Sequence, residues 1–340
     1  MSNTEPDDGL AVVATAADRA VLGEAIAAAR DAIAARAHRL SADEAAARWS
    51  ALVVEAVGSA ARVVGAPTGM RWQWFVTGSC GRGEGLPGAD VETLVGFEPS
   101  SGDTADVLER AAQVHELIER VGLAPDRNGA IGSRSRCCRT VSGWATAIDG
   151  WAADPAADRG VVMSGLALDS RPAGAGGGAS VDLDLCGAVL RAGKQHPGLG
   201  RAMAQDSAVV REAVPARLAV LAGRRETVDL KRAVLDPITR LGRLKAVLGG
   251  TGARSTRDRL GADNGILDEI DWPALERAWT SVTAIRWALR SGDWQRSGAA
   301  ADVVGLRDLA PHDRAIVRSA GREVLGAQRV LRYLTSVQTS

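Results

Sequence analysis

One run constrains the fold more than any other stretch of the chain: Gly78-Ser79-Cys80-Gly81-Arg82-Gly83-Glu84-Gly85-Leu86-Pro87-Gly88-Ala89-Asp90-Val91-Glu92. Trp72 to Thr77 reads as a strand that enters the turn at Gly78, and Asp90 to Phe97 reads as a second strand leaving it. Glycine lets backbone N–H groups converge into a cup, which suits phosphate oxygens. The Ser79 hydroxyl can add a donor, and Arg82 can offer a planar fork to phosphate. Asp90 and Glu92 occupy alternate positions along a strand, so their side chains share one face. Two carboxylates on one face, beside a phosphate cup, are what a pair of magnesium ions needs. Such ions sit roughly 3.5–4 Å apart and clamp an in-line phosphoryl displacement.

The sequence around this run is mostly helical. Residues 1–10 are polar and acidic and are expected to be disordered. An alanine-rich helical pattern covers about 12–64, with Val21, Leu22, Ile26, Ile33 and Leu40 on one apolar face. Ser41 and Glu44 have capping-box spacing and start a second helix carrying Trp49, Leu52, Val53 and Val57, which stops near Gly65 and Pro67. Residues 104–121 predict an amphipathic helix ended by Gly122. A weak strand is expected near Ala130 and Ile131, a helix from Trp144 to Trp151, a strand from Val161 to Asp169, and a glycine-rich loop from Gly174 to Gly178. After about 200 every pattern is helical, over 201–222, 228–248, 273–291 and 311–335. The expected organisation is a helical lead-in over 11–66, a mixed region over 67–190 and a helical domain over 200–336, an α+β chain.

Composition narrows the function classes. The chain has 340 residues, enough for two domains, with 46% hydrophobic and 24% charged residues, as in a soluble globular protein. Lys plus Arg and Asp plus Glu both total 41, so no bulk attraction to nucleic acid or an anionic membrane is expected. Cys80, Cys137, Cys138 and Cys186 show no CxxC spacing, which argues against a structural zinc site or a disulfide framework and for a reducing, cytoplasmic compartment. No signal peptide and no membrane-spanning run is expected. Trp144, Trp151, Trp272, Trp279 and Trp287 read as core residues at helical spacing, and the four histidines show no metal-ligand pairing.

The run fits the pattern G-S-x-G-R-x-E, five residues, D-x-[D/E]. It resembles the nucleotidyltransferase domain of the DNA polymerase β-like superfamily, as in PII uridylyltransferase and glutamine-synthetase adenylyltransferase. It looks closest to the nucleotidyltransferase family often found behind CBS or cyclic-nucleotide-binding domains in bacterial signalling proteins. Gly129 to Ser135, Trp144, Trp151 and Leu168-Asp169-Ser170-Arg171 fit that family in order. Val228-Asp229-Leu230-Lys231-Arg232, Thr256-Arg257-Asp258-Arg259-Leu260 and Gln328 resemble its helical substrate-binding domain. Two departures stand out. Glu92 replaces the usual second Asp, which moves the carboxylate by about one bond length. Arg-Cys-Cys-Arg at 136–139 stands where the family tends to have an Asn and a Trp.

The resemblance implies a polymerase β-like core, a small mixed sheet flanked by helices, followed by an all-helical domain. It implies that Asp90, Glu92 and Asp169 are catalytic and hold Mg2+ or Mn2+, Asp169 also helping to take the acceptor's proton. It implies that Gly78, Ser79, Arg82 and Lys231 bind the nucleoside triphosphate. The implied reaction moves AMP or UMP to an acceptor hydroxyl, a regulatory protein being one implied acceptor, with pyrophosphate leaving. Two alternatives stay open: an aminoglycoside-type transferase with a small-molecule acceptor, and a nucleotide-binding regulatory module without catalysis. The base, the acceptor and the oligomeric state are open.

Overall fold

The computed structural model describes residues 8–98, 104–174, 181–215, 227–262, 265–297 and 302–337. Residues 1–7, 175–178 and 216–222, on which some of the above expectations fall, lie outside the described residues. Contacts divide the chain into two units, Met1–Ala147 with Asp169–Cys186, and Ile148–Leu168 with Gly187–Ser340.

The first unit opens with α1 (Asp8–Thr15), α2 (Arg19–Arg36) and α3 (Ala42–Val64). Asp18 caps α2, accepting from the N–H groups of Ala20 and Val21 at 2.9 Å. Both halves of the capping box at Ser41 and Glu44 are present on α3. α3 buries Trp49, Leu52, Val53, Ala56, Val57 and Ala60, and ends at Gly65, whose φ of 75° suits glycine.

Next come β1 (Arg71–Val76), the one-turn helix α4 (Gly78–Gly81), β2 (Thr93–Glu98), α5 (Thr104–Glu119), β3 (Cys138–Thr140), α6 (Val141–Ala153), α7 (Gly160–Leu168) and β4 (Arg171–Pro172). The four strands form one mixed sheet in the order β3-β2-β1-β4. β1 runs antiparallel to β2 with Val76 opposite Thr93, and antiparallel to β4 with Val76 opposite Arg171. β3 runs parallel to β2 with Cys138 opposite Val95. The C-terminal end of β1 and the N-terminal ends of β2, β3 and β4 therefore meet at one end of the sheet. Trp74, Phe75, Val76, Leu94, Val95 and Phe97 are buried, and Trp144 donates its indole N–H to the carbonyl of Val95 at 2.8 Å. Burying each such side chain contributes about 1.5–3 kcal/mol.

Two strand expectations are corrected here. Val161 to Asp169 is not a strand. Its apolar residues form helix α7, and the strand is the short β4 that follows. A brief apolar run reads equally as buried strand or buried helix. Ala130 and Ile131 form no strand either. The Ala130 carbonyl accepts from the N–H of Thr93 at 2.9 Å, and the third strand is β3.

The second unit continues with α8 (Leu185–Gln195), α9 (Pro197–Ala208), β5 (Thr227–Asp229), a π turn (Lys231–Leu235), α10 (Asp236–Gly249), α11 (Thr256–Gly261), α12 (Trp272–Ser297), β6 (Val303–Gly305) and α13 (Pro311–Val337). It is mostly helical, yet β5 and β6 pair antiparallel, with Val228 opposite Val304. The purely helical expectation after 200 misses this pair because three-residue strands carry almost no periodicity. Asp302 receives Arg286 bidentately, at 2.7 and 3.0 Å, and also receives Arg290. Arg259 is fully buried and donates to the carbonyls of Ala253 and Leu168 at 2.9 and 3.1 Å. Among the described residues, no helix is long and apolar enough to cross a membrane.

Candidate active site

The end of β1 delivers the chain into the glycine turn. Thr77 donates its N–H to the carbonyl of Glu92 at 2.9 Å, so β1 and β2 remain paired up to the turn. Gly78 takes φ +61°, a left-handed conformation costly for other residues. Arg82 and Glu84 then donate their N–H groups back to the carbonyls of Gly78 and Ser79, at 3.1 and 2.8 Å. Ser50 on α3 accepts from the N–H of Gly85 at 3.1 Å and ties the far side of the turn to the lead-in. Nothing in the sequence marked Ser50 for this, because its partner lies 35 residues away.

Asp90 and Glu92 flank Val91, which is fully buried and pinned on both sides. Its N–H donates to Ala124 at 2.8 Å, and its carbonyl accepts from Asp126 at 3.0 Å. Val91 also bridges to Pro125, and regular strand begins only at Thr93. Asp90 is exposed and Glu92 half-buried. The Glu92 carboxylate sits directly over Gly78: a Cβ there would stand 1.3 Å from Oε2. The turn and the second carboxylate thus share a space that only glycine leaves open.

Arg82 and Asp169 also come together, in a different arrangement from the one expected. Arg82 donates from Nε to Glu84 Oε2 at 2.7 Å and from Nη1 to Asp169 Oδ2. The Arg82 side chain is 7% exposed and that of Asp169 is 0% exposed. Burial opposes the guanidinium's charge, but the adjoining Asp169 and Glu84 carboxylates outweigh it and hold Arg82 above its ordinary value. Lys231 belongs to the second unit, where it is exposed at the start of the π turn.

Other groups nearby are chemically quiet. His115 on α5 is buried, with Nε2 2.9 Å from the Thr93 hydroxyl, which in turn accepts from Gly132 N–H at 2.8 Å. Burial pushes its pKa down to about 4, so it is neutral at physiological pH. Burial likewise pushes the Cys137 and Cys138 thiols up to about 11 and about 12, which makes them packing residues and not nucleophiles.

The donor set can be tested against a divalent ion. Magnesium is typically held by one or two carboxylates plus substrate phosphates and water. Asp90 and Glu92, one exposed and the other poised over the glycine turn, fit that requirement. Asp169, without exposed surface and ion-paired, does not. Among the described residues, no group of three or more His, Cys, Asp or Glu is placed to hold a metal ion.

A mixed sheet with a glycine turn and paired acids at one end, followed by a mostly helical unit, is the architecture of the nucleotidyltransferase class. Residues 10–158 match the family described as "Putative nucleotidyltransferase DUF294", and residues 198–334 match "Putative nucleotidyltransferase substrate binding domain". Together the two matches take in most of the chain, which belongs to this nucleotidyltransferase family. The first match contains the turn, Asp90 and Glu92 and ends before Asp169; the second contains Lys231. No curated protein matches the chain.

Proposed function

We propose that the protein is a Mg2+- or Mn2+-dependent nucleotidyltransferase that moves AMP or UMP from a nucleoside triphosphate to an acceptor hydroxyl. The observation that carries this reading is the seat of the Glu92 carboxylate on Gly78, with Asp90 exposed two residues before it. Gly78 and Ser79 would cup the triphosphate, and Asp90 and Glu92 would hold the metal. When bound, the metal would supply charge neutralisation at the α-phosphate and the leaving oxygen. The acceptor oxygen forms a bond to the α-phosphorus, the bond from that phosphorus to the bridging oxygen breaks, and pyrophosphate leaves. The acceptor's proton passes through Asp90, the exposed carboxylate of the site, to solvent.

The resemblance to uridylyl- and adenylyltransferases of nitrogen control supports a protein acceptor. One observation favours a small-molecule acceptor instead. The second unit contains an open cavity of about 790 Å³, with Leu248, Leu267, Leu331 and Leu334 on its walls and Asp268 and Glu269 beside them. That volume suits a small ligand, and the acid pair suits a cationic one, although Arg201 also lines it.

The test is incubation of the purified protein with each α-labelled nucleoside triphosphate, Mg2+ or Mn2+, and either a host lysate or a set of polyamine-like acceptors. Label should move to an acceptor, and Asp90→Ala should abolish the transfer while leaving the fold intact, since an exposed side chain supports no core. Nucleotide binding without transfer under every condition would favour a regulatory module.

A further inference from the structure

The three charged side chains beneath the glycine turn are committed to one another. Two donors of the Arg82 fork are spent on Glu84 and Asp169, and all three side chains are nearly or fully withdrawn from water, at 7%, 12% and 0% exposure. With two of its five donors given to buried carboxylates and its side chain 7% exposed, this guanidinium has little left to offer a phosphate. A carboxylate without exposed surface cannot join a shell that keeps water and phosphate oxygens. Asp169 meets the turn a second time through its main chain. A Cβ at Gly81 would lie 2.4 Å from the Asp169 carbonyl oxygen and 2.6 Å from that of Val76, so the turn is seated directly on the backbone at 169. Two residues later β4 pairs with β1 at Phe75 and Val76, the last residues before the turn. Side-chain charge, main-chain contact and strand pairing thus converge on one short segment, Asp169 to Pro172.

We propose that Arg82, Glu84 and Asp169 form a buried ionic latch that holds the glycine turn against the start of β4. Asp169 is then a positioning residue and not a third metal carboxylate, and Arg82 is a positioning residue and not a phosphate ligand. The latch rests on the nucleotidyl-transfer reading for the site it serves, but not for its own existence. It acts through the position of Gly78 and Ser79, and so through nucleotide binding, while leaving the metal carboxylates Asp90 and Glu92 intact.

The experiment uses the full chain and reads Mn2+ binding by electron paramagnetic resonance, with an ATP or UTP analogue carrying a methylene between its α- and β-phosphates. Thermal melts and analogue affinity are measured alongside. Asp169→Asn should bind Mn2+ like the wild type, melt at a lower temperature and bind the analogue more weakly. Arg82→Met combined with Glu84→Gln and Asp169→Leu removes all three charges. It should recover melting temperature relative to any of the single variants while its analogue affinity stays reduced, which separates positioning from support of the fold alone. Should Asp169→Asn fail to fold, the triple variant carries the Mn2+ measurement. Loss of Mn2+ binding in either protein would make Asp169 a metal ligand and overturn the latch. Return of analogue affinity to the wild-type level together with melting temperature would overturn the positioning role. Asp90→Ala serves as the reference for a lost metal ligand. Retained Mn2+ binding in Asp90→Ala would instead sink the metal assignment of the proposed function, without touching the coupling between Arg82 and Asp169.

Discussion

At Gly78 the backbone takes φ +61° and the Glu92 carboxylate fills the place where a Cβ would project. Gly78→Ala therefore does two things. It places a residue with a side chain in the left-handed region, at about 1–2 kcal/mol, and it must push Glu92 aside. The expected result is a folded protein with a slightly lowered melting temperature and no nucleotidyl transfer, read by circular dichroism and by single-turnover label transfer. Wild-type transfer in Gly78→Ala would remove Glu92 from the site. The sequence showed that Gly78 is a turn glycine and predicted that Glu92 shares a face with Asp90. It could not show that these two meet, because that contact depends on the β1–β2 register. Nor could it show how Arg82 is used. An arginine in a glycine turn offers its fork to phosphate or to carboxylate equally well, and the choice falls to Asp169, which lies 87 residues away in sequence.

At the level of elements, α5 is held to the sheet partly through His115, which contacts Thr93 on β2 and lies with its ring centroid 5.7 Å from that of Trp74 on β1. Its pKa falls from 6.5 to about 4 on burial. The folded protein thus refuses a proton that the unfolded chain accepts. Above pH 6.5 neither state is protonated at this group and there is no penalty; as pH falls toward 4 stability is progressively lost. At about 1.4 kcal/mol per pH unit the loss reaches about 3 kcal/mol. His115→Gln should flatten that part of the stability profile, measured as the urea midpoint between pH 7 and pH 4. An undiminished acid slope in the variant would place its source elsewhere. The start of α3 is a case where the sequence sufficed. Ser41 and Glu44 cap each other over three residues, a local device that distant contacts need not assist. Ser41→Ala should cost about 1 kcal/mol in chemical denaturation.

On the scale of the molecule, neither unit is one continuous piece of chain. The second contains Ile148–Leu168 as well as Gly187–Ser340, although the substrate-binding-domain match begins at 198. The earlier segment closes a buried polar group, because Arg259 is fully buried and one of its donors ends on the Leu168 carbonyl at 3.1 Å. A fragment of residues 187–340 would leave that donor without its acceptor and lose the packing of α7. It should show no cooperative melt of its own. A sharp unfolding transition in that fragment, monitored by far-ultraviolet circular dichroism, would contradict this dependence.

The sequence by itself determined what local chemistry can determine. Turn glycines, caps and the amphipathic helices α5 and α13 follow from neighbours a few residues apart. It also carried the class of protein, since the motif's residues stand in order along the chain. Only the tertiary structure decided the rest. It made an apolar run at 160–168 a helix and gave the sheet its edge to two residues at 171 and 172. It paired two three-residue strands far apart in sequence, at 227–229 and 303–305. It turned Asp169 toward Arg82, because a buried carboxylate and a buried guanidinium are each costly alone and far less so together. Such choices depend on which partner arrives through space, and no spacing along the chain encodes that.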